Sequence, residues 1–427
     1  MFWKKKPKDE APKATPGAAL GAAPKEEPRR PDPQRPEARA ESRREAPASG
    51  DQKARLAAAL AGASPASPDV EAAQARARES LLGDPALRGV VQDLLEGRRD
   101  RAFDALERDA DASGSPDKWN RAGTLLFAAD SARARRMLEK AHAASKSSFW
   151  GGILLARLRG SAGEFQPAIE AAAAALMAAQ TPDERGVAHA EVATIAMVQG
   201  QTALAMQHAD HAVQVSRGAI DAGARDGITL RDYVARLVML GDACVGSSEI
   251  VNAVSAYTGA LKGARTLASV APKHPGLARG VAEILEKAAA AASSAQDQQI
   301  ASAHAEEAIG IRRRLVEGGR DPAGSAALAG ALNTFGEVKR QAGDIAGAKL
   351  LFGEAMSTAR DAIAHDPSNV AAKREVWAVM WRLATLGGAG VSWRDVLGAM
   401  EGMANNGGLN ARDWPFYEEA KKRAAAS

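Results

Sequence analysis

The chain of 427 residues carries a formal net charge of +4, and 46% of its residues are hydrophobic although only 4% are aromatic. Its single cysteine, Cys244, excludes an internal disulfide framework and a zinc site built on cysteines. Residues 1–50 hold 12 Lys/Arg and 8 Asp/Glu, which accounts for the whole positive excess. The balanced remainder gives no reason to expect nucleic-acid binding.

Residues 1–70 are predicted to form a disordered tail. Nine of the chain's 20 prolines lie in residues 1–50, interleaved with charges of both signs and small residues. Such a composition cannot bury enough apolar surface to offset the entropy lost on ordering. A helix over Gln52–Ala61 would be short, and isolated helices of that length are rarely stable in water.

The N-terminus begins with two aromatic residues and a run of lysines, listed in order as Phe2, Trp3, Lys4, Lys5 and Lys6. This cluster is either the start of a solubilising tail or a contact with an anionic membrane surface, where each lysine contributes about 1 kcal/mol. No apolar segment follows that could act as a signal peptide or a spanning helix. We therefore expect a cytoplasmic protein, with peripheral attachment to the inner face of the membrane as the alternative.

From residue 71 the apolar residues recur with a helical period, and a small-large-small stripe repeats along the chain. The stripe Ala348-Phe352-Ala355 places its three members on one helix face. Equivalent stripes begin at Ala301, Ala253, Ala205, Ala168, Ala134 and Ala102. Along the chain, the starts at Ala205, Ala253, Ala301 and Ala348 are 48, 48 and 47 residues apart. The starts before Ala205 are separated by 32, 34 and 37 residues. This spacing predicts short repeats over 71–182 and four longer ones over 183–369.

The pattern resembles the tetratricopeptide repeat, in a long bacterial form of 47–48 residues. The matching motifs are the first-helix pairs Leu240-Gly241 and Phe335-Gly336, the turn glycines Gly163, Gly200 and Gly343, and the stripes themselves. The match extends over residues 85–386. It departs from the family pattern where alanine replaces the aromatic residue of the stripe and where Ala289 replaces the first-helix glycine. The resemblance implies an all-α, right-handed solenoid of stacked antiparallel helical hairpins.

Residues 370–427 are predicted to cap this array. Each hairpin has an apolar face that it cannot cover alone, so the last one needs a cover of a different kind. This segment holds six aromatic residues, which are Trp377, Trp381, Trp393, Trp414, Phe416 and Tyr417. We expect five of the six to seal the exposed end of the solenoid.

The family resemblance also implies a groove, lined by the first helix of each hairpin, that binds a peptide or a partner protein. Counting from the helix-crossing position predicts that the groove includes Asn120, Trp150, Arg157, Met197, Met239, Glu286, Asn333, Glu337 and Arg340. The repeated Lys/Asn set with which some family members clamp a carboxylate is lacking. We expect a non-catalytic scaffold or adaptor that uses no cofactor.

Evidence for an enzyme is lacking in the sequence, which has no nucleophile elbow and no phosphate-binding glycine loop. His208 and His211 are three residues apart and His189 lies on the preceding helix, so the three could share a metal. No further ligand with suitable spacing accompanies them. We therefore interpret them as polar residues of the outer face and expect no metal.

An arginine follows the last alanine of the stripe by five residues in each long repeat, at Arg217, Arg265, Arg313 and Arg360. Near the end of a helix an arginine can interact favourably with the last carbonyl groups and the helix dipole. The alternative is a ladder of positive charge that attracts acidic partners.

Overall fold

The computed structural model describes residues 50–61, 68–224, 226–317, 321–387, 390–410 and 413–426. Over these ranges the chain forms nineteen α-helices, one short 3-10 helix and no strand. The α-helices are α1 (Gly50–Ala59), α2 (Pro68–Leu82), α3 (Arg88–Leu95), α4 (Arg99–Ser113), α5 (Pro116–Leu126), α6 (Ser131–Ala144), α7 (Phe149–Ser161), α8 (Phe165–Ala178), α9 (Pro182–Gln199), α10 (Thr202–Asp221), α11 (Gly227–Gly246), α12 (Ile250–Val270), α13 (Pro275–Ser294), α14 (Gln298–Val316), α15 (Pro322–Gln341), α16 (Ile345–His365), α17 (Val370–Leu386), α18 (Trp393–Ala404) and α19 (Trp414–Ala426).

Helices α3 to α16 pair in sequence into seven hairpins, each made of an odd-numbered helix, a short turn and an even-numbered helix. A short turn between two helices that pack along each other makes them antiparallel. Each hairpin also packs on the next one, so the array is continuous from α3 to α17. The predicted all-α fold of stacked antiparallel hairpins is confirmed. The helices contain 8–15 residues in α3 to α8 and 18–21 residues in α9 to α16.

The small-large-small stripes lie at the crossing of the two helices in each hairpin. Phe352 of α16 is fully buried, and a Cβ on Gly336 of α15 would stand 2.5 Å from its ring. Gly241 has the same relation to the ring of Tyr257. Where the stripe has alanine in the middle, as in the α13–α14 hairpin, the first helix carries Ala289. The first helix thus supplies a small side chain or none, because a close-packed crossing has room for one bulky group.

The turns inside the long hairpins need a residue with positive φ. Gly200 and Gly343 take φ of 78° and 84°. In the two hairpins between them, Ser248 and Gln296 take φ of 61° and 66°. A side chain in this left-handed region is strained, so these two turns retain the backbone shape without the residue that favours it.

The N-terminal helices correct the predicted boundary of the tail at residue 70. Helix α1 packs on α3, and its Leu56 and Leu60 are almost completely buried in a cluster with Leu94. Helix α2 begins at Pro68 and packs on α5. Sequence analysis underestimated the stability of α1, because that stability comes from these tertiary contacts and not from the isolated helix. The predicted disorder of residues 1–49 and the possible membrane contact from Phe2 to Lys6 lie outside the described residues.

Helices α17 to α19 follow the last hairpin and share an apolar cluster built on Val396, Met400 and Met403. Trp377 is buried at 6% exposure, but Trp414 and Phe416 remain 46% and 45% exposed. The expectation that the aromatic residues seal the end of the array is therefore wrong for Trp414 and Phe416. Val396, Met400 and Met403 of α18 are instead the buried side chains of this cluster, together with Trp377 and Ala420.

Candidate binding groove

The odd-numbered helices form one face of the array, which we call the concave face. Helices α5, α7, α9 and α11 contact each other in succession, as do α13, α15 and α17. Among the described residues no two even-numbered helices of successive hairpins make contacts of that extent. Neighbouring hairpins are therefore closest on the odd-numbered side, which is the inner side of the curve.

Three of the predicted groove residues, Asn120, Trp150 and Arg157, lie on α5 and α7 near helix α2. The guanidinium of Arg157 donates to Asp69 of α2 at 2.7 Å and to Glu191 of α9 at 2.8 Å. The Arg76 guanidinium of α2 lies 5.8 Å from the centre of the Trp150 ring. This part of the predicted groove is brought together by the fold, but α2 of the same chain already covers it.

Beyond α2 the concave face opens into a cavity of about 770 Å³, which we call the middle cavity. Residues of α2, α7, α9 and α11 line it, among them Met239, Arg157 and Glu191. The guanidinium of Arg236 is buried there and donates to the Ser216 hydroxyl, and this burial lowers its pKa. Charges of both signs line this cavity, so it has no single electrostatic preference.

Met197 lines a second cavity of about 640 Å³ beside the turns of the α9–α10 and α11–α12 hairpins. Asp242 in this cavity accepts hydrogen bonds of 2.6 Å from the Tyr257 hydroxyl and from the Lys287 ammonium. Met197 and Met239 line different cavities, although both pack against the same buried alanine cluster of α9, α10 and α11.

Glu286 and Asn333 are held by partners inside the array. Arg312 donates to Glu286 at 2.8 Å, and burial raises the pKa of this carboxyl while the arginine opposes the rise. Asn333 is only 6% exposed and donates to Glu375 at 3.0 Å. Counting positions along the sequence could not show that these two side chains are already engaged inside the array.

Glu337 and Arg340 line a pocket of about 430 Å³ together with Trp377, Trp381, Arg382 and Phe416. We call this site the aromatic pocket. The Trp381 and Phe416 rings meet edge to face with 5.3 Å between their centres. Trp381 and Phe416 come from α17 and α19, whereas Glu337 and Arg340 come from α15. The pocket therefore joins the last repeat to the cap.

Two guanidinium groups share the carboxylate of Glu337 in this pocket. Arg340 donates to it at 2.6 Å and Arg382 at 3.4 Å. Burial alone would raise the pKa of Glu337, but the bonds from Arg340 and Gln341 and the charge of Arg382 bring it below its usual value. The pocket thus combines apolar walls with a charged rim whose carboxylate stays ionised at neutral pH.

The sequence assigned Trp377, Trp381 and Phe416 to the cap and so missed their place in the groove. One signal was present: Trp377 and Trp381 are four residues apart on α17, which puts both rings on one helix face. That the same face borders Glu337 is decided by how α17 packs on α15.

The three histidines lie close together between α9 and α10. The Nδ1 atoms of His189 and His208 are 3.1 Å apart, and the His211 ring centre is 4.9 Å from that of His189. Burial, followed by the charges of the two other histidines and Arg236, lowers the pKa of His189 to about 4. Within the described ranges no group of three or more His, Cys, Asp or Glu has an arrangement that could hold a metal ion.

Two of the four arginines that follow the stripes make ion pairs between successive hairpins, whereas Arg217 pairs with Asp221 of its own helix α10. Arg265 of α12 contacts Glu307 of α14 at 2.5 Å, and Arg313 of α14 contacts Glu354 of α16 at 2.6 Å. These two arginines therefore have acidic partners within the array, and Arg313 also lies in the last turn of its own helix. The ion pairs cross between repeats on the outer side.

No protein-family model matches the chain, and no curated protein matches it. Several solved structures do match the chain. BtubC (BKLC) from P. vanneervenii is 22% identical with a TM-score of 0.42, and the match covers 61% of this chain and 92% of that one. The C-terminal part of a TPR repeat-containing protein from Cytophaga hutchinsonii is 17% identical with a TM-score of 0.42, covering 68% of this chain and 99% of that one. A Rap protein complexed with Competence and Sporulation Factor is 13% identical with a TM-score of 0.41, covering 84% and 99%.

These neighbours are tetratricopeptide-like repeat proteins. The similarity is one of fold, and the assignment of this chain as an array of helical hairpins rests on its own helices and contacts. In the part of the chain that the structure describes, no helix has the length and apolar character needed to cross a membrane.

Proposed function

We propose that this chain is a non-catalytic protein-interaction scaffold that binds a peptide or a partner domain on its concave face. The observation that carries the proposal is the aromatic pocket, where the predicted groove residues Glu337 and Arg340 meet the rings of Trp377, Trp381 and Phe416. Aromatic and arginine side chains dominate the energetics of most protein interfaces. A pocket that combines both on the concave face fits a binding role.

The exposure of the pocket supports this role. Phe416 leaves 45% of its surface in water, although the neighbouring Trp377 is buried. Covering a phenylalanine or leucine side chain completely stabilises a complex by about 1.5–3 kcal/mol. A partner that inserts an apolar side chain here would gain part of this energy, and the guanidinium groups at the rim would orient it.

Site-specific photo-crosslinking in cells tests the proposal. A photoreactive amino acid is placed at Thr385 on the rim of the aromatic pocket, at Met239 in the middle cavity, or at Val270, which is 83% exposed on an even-numbered helix. We expect one or more proteins to be crosslinked from Thr385 or Met239 and not from Val270. The Trp381→Ala substitution should weaken crosslinking from Thr385.

Equal labelling from all three positions, or none from the two groove positions, contradicts a binding role for the concave face. Circular dichroism of the Trp381→Ala variant shows whether a loss of crosslinking reflects unfolding. An Arg394→Ala variant, at an exposed position near the start of α18, is the matched control for the cap.

A peripheral membrane adaptor is the second candidate, and the sequence cluster from Phe2 to Lys6 is the observation that favours it. The test is co-sedimentation of the full chain with vesicles containing anionic lipid. Binding that falls with salt and is lost when Phe2 and Trp3 are both replaced by serine supports membrane attachment. Equal, salt-insensitive recovery of the two proteins contradicts it. A cytoplasmic location stays a prediction.

A further inference from the structure

Helix α2 lies on the concave face of the short repeats as a bound helix would. Its inward residues are Val70, Ala73, Gln74, Ala77 and Leu81, which recur at the spacing of one helix face. Val70 is 2% exposed and packs with Leu154 and Leu155 of α7. The Gln74 amide donates to the Thr124 carbonyl of α5 at 3.3 Å.

The two halves of α2 are held differently. Leu81 and Ala77 belong to the cluster that contains Leu56 of α1, so the C-terminal half is part of the apolar core. The N-terminal half is held by Val70, by the amide of Gln74 and by the ion pair of Asp69 with Arg157. A contact that depends on polar groups and one large apolar side chain resembles an interface between partners more than the interior of a repeat.

Release of this half leaves no buried charge without a partner. Arg157 keeps its 2.8 Å contact with Glu191, and Asp69 and Gln74 pass into water. Breaking a buried pair is costly when one charge is left alone, which does not happen here. The concave face beneath α2 can therefore be uncovered without penalty from an orphaned ion.

The site under α2 also continues into the middle cavity. Asp69 and Ala72 of α2 line that cavity together with Arg157 and residues of α9 and α11. A partner helix lying along the cavity towards α7 would reach the position of α2. The partner helix and α2 would then compete for the ion pair with the Arg157 guanidinium.

We propose that the concave face of α5 and α7 is a helix-binding site that α2 occupies reversibly in competition with a partner. The partner is an amphipathic helix with small or β-branched aliphatic residues at the positions of Val70 and Ala73 and a carboxylate at the position of Asp69. This inference rests on the proposed scaffold function and names the class of ligand for one part of its groove.

A peptide of residues 68–76, the releasable half of α2, labelled with fluorescein, tests this specificity in anisotropy titrations against the full chain. We expect a receptor chain carrying Val70→Asp, which loosens the docked helix, to bind the peptide at least ten times more tightly than the unchanged chain. An Asp69→Lys receptor is the milder second variant. Adding Arg157→Glu to the Val70→Asp receptor should abolish binding of the unchanged peptide, and a peptide carrying Asp69→Lys should restore it.

Hydrogen exchange of the unchanged chain measures reversibility directly. Amides of residues 72–76, which lie beyond the unbonded first turn of α2, should exchange at least ten times faster than those of residues 152–158 in α7. Equal protection of the two segments overturns the proposal, as does a folded Asp69→Lys receptor that binds no peptide or binds it without regard to charge. If these tests fail while Thr385 and Met239 still crosslink a partner, the proposed class of ligand is wrong. The proposed scaffold function is then still supported.

Discussion

The imidazole of His189 lies between α9 and α10, with the rings of His208 and His211 beside it. Burial and these neighbours bring its pKa to about 4, whereas the unfolded chain has a value near 6.5. Between these two values the unfolded state binds a proton that the folded state does not. The free energy of unfolding therefore falls as the pH drops from about 6.5 to 4.

We expect His189→Gln to reduce this acid-induced loss of stability, because the substituted side chain takes up no proton. Thermal unfolding at pH 7, 6 and 5 measures it, with the exposed His365→Gln as the control. An unchanged difference in Tm between pH 7 and pH 5 for His189→Gln would show that other groups dominate the acid sensitivity.

Gly336 illustrates how one residue determines the geometry of a hairpin. A methyl group here would stand 2.5 Å from the Phe352 ring, so Gly336→Ala should destabilise the chain by about 1–3 kcal/mol through overpacking. Gly353, on the exposed side of α16 with no atom near its added Cβ, is the matched control. Gly353→Ala should instead stabilise the chain by about 0.5–1 kcal/mol. Urea unfolding followed by circular dichroism distinguishes the two.

At the scale of the element, helix α1 shows that tertiary packing can stabilise a helix too short to form alone. Leu56 is completely buried, and Leu56→Ala should cost about 2–5 kcal/mol in the stability of the first helices. Lys53→Ala, which removes an exposed ion pair with Glu79, should change stability by less than about 1 kcal/mol. Protease cleavage within α1 measures the effect, and equal cleavage of the two variants would contradict it.

At the scale of the whole molecule, stability is shared between neighbours. Each hairpin packs mainly on the next one, so the array behaves as a chain of nearest-neighbour interfaces. The Gly336→Ala substitution should therefore raise hydrogen exchange in α15 to α17 and leave α5 to α8 unchanged. Exchange that rises uniformly along the chain would indicate a single cooperative unit instead.

The order of the hairpins along the chain could be predicted from the amino-acid sequence alone. The stripes from Ala134 to Ala355 fall on the even-numbered helices and are buried, because a helical period and a small crossing residue are local properties of the chain. The turn glycines were equally local, although Ser248 and Gln296 show that a turn can keep its shape without glycine.

The proposed binding surface could be predicted from the sequence only in part. Arg157, Met239, Glu337 and Arg340 line cavities on the odd-numbered helices, and counting could select them because side-chain direction follows from the helix period. Counting could not tell that α2 covers Arg157 or that Arg312 holds Glu286, since both contacts join elements distant in sequence. The sequence by itself determined the hairpins and their order. Only the tertiary structure decided which part of the concave face is open, because that depends on where α2, α17 and α19 pack.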